Sequence, residues 1–251
     1  MKRLFLAAVA AFLLFASDAL GAPALVQDIV AFSYQPTTYA ATLANAVGAG
    51  DLVVVSVYWG YATSGSSVTK VQDDKGNTLT PVDSSYDSTG LINVATFYEF
   101  NVTSGPKTFT ATLSAQAAGG SGIVVEEYSG IATTLPLDGH AIANVNTSGA
   151  LTASTGNFTT TANGDLVWGF GWFTNGTPGP THGTGFTASS DDTTLDALAE
   201  YLVQTTASAS TTANFNLAAS YNYDIVAGMA FKAAGGSGPV YHGLLTTGVG
   251  N

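Results

Sequence analysis

Glu99, Glu126, Glu127 and Glu200, with the doublets Asp73-Asp74 and Asp191-Asp192, are the side chains of this sequence with the most chemistry to offer. Two carboxyl groups flanking a glycosidic bond can cleave it, one as acid and the other as nucleophile or base. Their spacing argues against that use. Glu126 and Glu127 are neighbours in a strand-like run, so they point to opposite faces. The Asp doublets fall in turn-like stretches, where Asp is favoured because its side chain bonds nearby amides. Calcium is the other use of such oxygens, with Asp73, Asp74 and Asn77 as its candidates, but Lys75 stands where a third ligand would be wanted. His140, His182 and His242 lie in three separate segments without zinc spacing, and there is no Cys. No Gly-x-Ser-x-Gly elbow accompanies them. No catalytic residue is assigned, and no cofactor other than calcium is considered.

Aromatic side chains offer binding rather than bond cleavage. Tyr58, Trp59, Tyr61, Trp168 and Trp172 stand at predicted strand ends or beside loops, where rings could stack on sugar faces. Core volume is the competing use of the same rings. Basic residues are scarce, six in 251, against 17 acids. Nucleic acids and anionic surfaces are gripped by clustered Lys and Arg, so both are excluded as partners.

The elements that must position these residues are strands. Short runs of Val, Ile, Thr and aromatics alternate between clusters of Gly, Asn, Asp and Ser, and helical periodicity is almost absent after residue 21. The order repeats. Gly50-Asp51-Leu52-Val53 opens one apolar run and Gly164-Asp165-Leu166-Val167 another, each followed by a Glu-aromatic pair (Glu99-Phe100; Glu200-Tyr201), a Thr-rich run and a final apolar strand. A period of about 100 residues is the size of a domain. Residues 52–59 and 166–173 are predicted central strands of their sheets, because nearly every residue of the first is apolar. In the second, Gly169 and Gly171 share a face that either a ligand or a bulky neighbour could fill. Asp74-Lys75-Gly76 predicts a hairpin turn with Gly76 left-handed. Leu135-Pro136-Leu137-Asp138-Gly139 reads as the junction between units.

The chain therefore divides into an export signal over residues 1–21, a first unit over 23–134, a second over 138–232, a Gly/Ser-rich linker over 233–238 and an apolar tail over 239–251. Lys2-Arg3, the apolar stretch 4–15 and Ala19-Leu20-Gly21 carry the first assignment. Its cleavage would leave no membrane span and a net charge near −12, four Lys against sixteen acids. In the tail, Val240, Tyr241, Leu244, Leu245 and Val249 could add a strand to an open sheet edge.

Gly-Asp-Leu-Val, the stretch Asp73 to Thr78, Tyr98-Glu99-Phe100-Asn101-Val102, Glu127-Tyr128-Ser129-Gly130 and Pro136-Leu137-Asp138-Gly139, in this order, resemble a β-sandwich repeat of uncharacterised bacterial exported proteins, over most of residues 25–232. The resemblance implies fold and location and transfers no catalytic residue. The expected protein is all-β, two tandem antiparallel β-sandwich units, Ig-like or jelly-roll, secreted or at the cell surface. Its expected role is a non-enzymatic surface, matrix or appendage building block, acting by adhesion or self-association with itself or other matrix proteins. A carbohydrate-binding module with glycan partners and a carboxylate-dependent polysaccharide hydrolase are the alternatives.

Overall fold

A computed structural model describes residues 21–60, 66–103, 105–145, 151–174, 179–217 and 223–235. Tyr61, His242, the tail residues Val240, Tyr241, Leu244, Leu245 and Val249, and all but the last residue of the expected export signal lie outside the described residues. The described chain is all-β, with sixteen strands in four antiparallel sheets.

The first unit contains β1 (Ala24–Tyr34), β2 (Thr38–Thr42), β3 (Leu52–Gly60), β4 (Val68–Asp73), β5 (Thr80–Asp87), β6 (Ile92–Glu99), β7 (Thr108–Leu113) and β8 (Gly120–Ser129). The second contains β9 (Leu137–Val145), β10 (Thr152–Ser154), β11 (Leu166–Phe173), β12 (Thr181–His182), β13 (Thr187–Asp192), β14 (Ala197–Val203), β15 (Asn214–Asn216) and β16 (Asp224–Phe231). A five-stranded sheet ordered β1-β8-β3-β6-β5 packs on a three-stranded sheet β2-β7-β4. The second unit repeats this strand for strand, β9-β16-β11-β14-β13 on β10-β15-β12. The central strands β3 and β11 are those expected.

Burial follows from the layering. The three-stranded sheets are wet on one side, so β7 alternates buried Phe109, Ala111 and Leu113 with half-exposed threonines. The five-stranded sheets are covered on both sides, and β3 and β11 are buried throughout. Val53, Val55, Val57 and Trp59 fill the first sandwich. Leu52, Val54 and Tyr58 point the other way, into a layer shared with Leu166, Trp168, Phe170 and Trp172 of the second unit. The two large sheets thus face one another, and the molecule is four sheets deep.

This central contact is reciprocal, as in an isologous dimer. Strand β1 packs on β13, and its counterpart β9 packs on β5. Matching polar pairs seal the two seams. Ser190 Oγ donates to Asp28 Oδ2 at 2.9 Å, and at the equivalent place His140 Nδ1 meets Asp83 Oδ2 at 2.8 Å.

Several sequence expectations are corrected. The turn after β4 forms with Gly76 at φ +95°, but only Val71 to Asp73 pair locally with Asn77 to Leu79. The expected hairpin is therefore present but short, and beyond buried Leu79 the chain crosses to the other sheet as β5. The predicted junction is partly strand, since β9 begins at Leu137, and the first linker residues are tied down by Ala233–Ile131 pairing and the Ala234 amide on Gly130 O. The Glu-aromatic pairs are not equivalent. Tyr98 and Tyr201 occupy matching positions, which puts Glu200 where the first unit has Phe97.

Candidate functional site

Four of the five aromatic candidates are core. Tyr58, Trp59, Trp168 and Trp172 are buried, and the three in the central layer pack against Phe170 or each other at ring separations of 5.3 to 6.3 Å. Of the two uses expected for these rings, core volume is the one the structure gives these four. These positions look like strand ends in the sequence, yet a facing sheet covers them. The glycine face of β11 is likewise filled by protein. A Cβ at Gly169 would meet Ala213 and Glu200, and one at Gly171 would meet Phe173 and Phe215.

The carboxylates are dispersed to separate structural duties. Glu126 lies fully buried in the central layer, where its Oε2 accepts from Tyr128 Oη at 2.8 Å and Trp168 Nε1 at 2.5 Å. Burial raises its pKa against the pull of these donors and of Ser189 and Ser190, and its Oε1 has no hydrogen-bond partner among the described residues. Glu127 points away, as expected, and binds the Gly48 amide at 2.8 Å and the Gln27 side chain. Beside it Asp51 is pushed up to about 6, by burial first and then by Glu127. The second unit places Asp165 against Asp138 instead. Burial and that neighbour raise Asp165 to about 7, while Asp138, although partly buried, is held below the usual range by the Thr161 hydroxyl and amide and by Lys232. Glu200 sits inside the second sandwich, accepting from the Gly183 amide at 2.7 Å and the Asn214 amide at 3.3 Å, and burial lifts it to about 8. Glu99 rises to about 7, through burial and then Asp73.

The calcium candidates form one turn. Asp73 Oδ1 accepts from the Lys75 and Asn77 amides and its Oδ2 from Asn77 Nδ2, at 2.7 to 2.9 Å, while Asp74 Oδ1 accepts from the Lys107 amide at 3.1 Å. Among the described residues no three acids or histidines gather as metal ligands. Asp191-Asp192 closes β13 at the head of a turn, where Asp192 Oδ1 accepts from the Thr194 amide at 2.9 Å and its Oδ2 from Tyr58 Oη at 2.6 Å across the central layer.

Three features were not legible as residue patterns. His182 Nε2 lies 3.0 Å from Asp191 Oδ1, a second His–Asp pair beside His140–Asp83, and neither has a serine hydroxyl hydrogen-bonded to its ring among the described residues. Because the β2-β7-β4 sheet sits under only part of the larger sheet, a cleft of about 370 Å³ opens against β5 and β6, lined by Trp59, Pro81, Asp83, Asn93, Phe97 and neighbouring serines. The second unit has its counterpart, about 430 Å³, lined by Pro180, Asp191, Asp192, Asp196 and Leu198. Finally, β1 carries Val26, Phe32 and Tyr34 at 51, 48 and 67% exposure, on a sheet edge. Only the place of β1 at the edge exposes these side chains. The chain matches no protein-family model and no curated protein, and its function rests on this geometry.

Proposed function

We propose that this chain is a non-enzymatic, exported structural or adhesion protein, a rigid block of a surface or matrix that associates with its own kind. The observation that carries this reading is the central layer, in which Tyr58, Trp168, Phe170, Trp172 and their neighbours bind two repeats into one body. Interiors packed this way transmit load without a cleft between moving parts. The carboxylates fit the same role, since Glu126, Glu127 and Glu200 each bind backbone amides or buried donors of the fold. The export assignment rests on residues 1–21 and on a surface rich in hydroxyls and poor in Lys and Arg.

A carbohydrate-binding role is the second reading, favoured by the unit-one cleft. Trp59 lines it, its buried Nε1–H has no acceptor among the described residues, and the neutral donors beside it suit a polyol. One preparation tests both. The chain lacking residues 1–21, incubated with soluble glucans, xylans and chitin oligomers, is expected to release no reducing ends and to show concentration-dependent mass by sedimentation. Hydrolysis lost in Glu99→Gln or Glu200→Gln would overturn the first reading; sugar-dependent tryptophan fluorescence lost in Trp59→Phe would establish the second.

A further inference from the structure

Among the described residues the four sheets have eight edges, and seven carry a device that discourages pairing with another strand. Strands β2, β10 and β12 are five, three and two residues long. Strand β4 has Lys70 and a bulge; β5 has Pro81, Asp83, Asp87 and a bulge. Strand β13 ends in Asp191-Asp192 after a bulge. Strand β9 presents Asp138, His140 and Asn144, with Asn144 bonded across the seam to Ser85 and to Tyr86 O.

Edge β1 is the exception. It runs eleven residues without Lys, Arg or Pro, and its one acid, Asp28, is engaged by Ser190. Its bulge lies at the very start, between Leu25 and Gln27, which leaves the rest regular. The divergence from β9 is specific: Phe32 stands where the second unit has Asn144, and Asp28 where it has His140. Three large apolar side chains exposed on one unprotected strand are a template for a further strand.

Resting on the self-association proposed above, we infer that β1 is the interaction surface, and that its occupant is β1 of a second copy, paired antiparallel so that the two five-stranded sheets join. The strand suits itself. About a two-fold axis perpendicular to the sheet, even-numbered side chains of both copies share one face, so Val30, Phe32 and Tyr34 of one strand meet the same set on the other. Main-chain hydrogen bonds supply affinity, and the apolar face supplies register.

The test is sedimentation of the chain lacking residues 1–21, alone and as Phe32→Lys, Tyr34→Lys and the double variant, with thermal melting as a check on folding. The native edge is expected to give twice the monomer mass. Each lysine variant should raise the dissociation constant at least tenfold, the double variant should be monomeric, and melting should be unchanged because both sites are exposed. Association that survives the double variant would overturn the β1 assignment and leave self-association standing. Loss of association on deleting residues 236–251, with the lysine variants unaffected, would place the contact in the tail and overturn it equally. A native chain monomeric up to about 1 mM, where a contact of ~4 kcal/mol would already show, would sink both readings.

Discussion

Glu126 concentrates the chemistry of single residues in this protein. It is the counterpart of Met229 in the other repeat, yet it puts a carboxyl group among Tyr128, Trp168, Ser189 and Ser190 in the middle of the molecule. An isolated charge there is costly, so burial favours the neutral acid. Asp51, Glu99, Asp165 and Glu200 behave alike, raised to between about 6 and about 8. The unfolded chain loses these protons near pH 4, whereas the native state keeps them longer. Native protein therefore binds more protons across the interval from about pH 4 to about pH 8, and stability falls as pH rises through it. Asp138 acts oppositely: its folded pKa is depressed, so its contribution is present above the ordinary carboxylate range and lost on acidification. The melting temperature should fall by at least about 4 °C from pH 5 to pH 8, the effect of about 1–2 kcal/mol in a chain this size. Glu126→Gln should flatten that slope, because an amide keeps the acceptor for Tyr128 and Trp168 and cannot ionise. Glu126→Ala should cost about 2–5 kcal/mol at any pH by leaving both buried donors unpaired. Calorimetry across that pH range checks all three; a flat native profile would refute the assignment.

At the scale of elements, the strands were legible and their partners were not. Continuous apolar character in residues 52–59 says that both faces are covered, without saying that a second repeat provides one cover. For the same reason Trp168 and Trp172 read as candidate sugar platforms and proved to be core. Turn chemistry at Asp73 to Asn77 was visible, because it is local; the crossing to the other sheet depends on where Leu79 packs, which is not. Glycines illustrate the difference best. The first unit has Val55 and Val57 where the second has Gly169 and Gly171; Ala213 and Glu200 fill the space at Gly169, and at Gly171 the volume is restored by Phe173 folding back and by Phe215 from the facing sheet, 5.3 Å apart. Gly171→Val should therefore destabilise by about 1–3 kcal/mol through overpacking, although Val is native at the matching site. Phe215→Leu should be destabilising alone but should recover part of the loss in the double variant, a coupling that denaturant titration would reveal. Additive losses would mean the two sites do not share the space.

For the whole molecule, the question is whether two repeats make one folding unit. Each sandwich has its own inner cluster, but the buried Trp and Tyr side chains, Tyr39 and Trp59 apart, lie in the layer between them. Neither half can keep that layer dry alone. Thermal unfolding should accordingly be a single transition with matching calorimetric and van't Hoff enthalpies. Tyr58→Phe, which removes the 2.6 Å bond to Asp192 across the layer, should lower that one transition by about 1.5–3 kcal/mol and not split it. Two separated peaks would show that the units melt independently.

The unlike seams also set how many neighbours a chain can hold. If β9 had kept the apolar face of β1, every chain would carry two sticky ends, and pairing would run on into fibres. With Asn144 and His140 closing the one and Phe32 left open on the other, the β1 contact proposed above would give each chain a valence of one. Two copies would then satisfy one another through β1, and growth along these edges would stop at the pair.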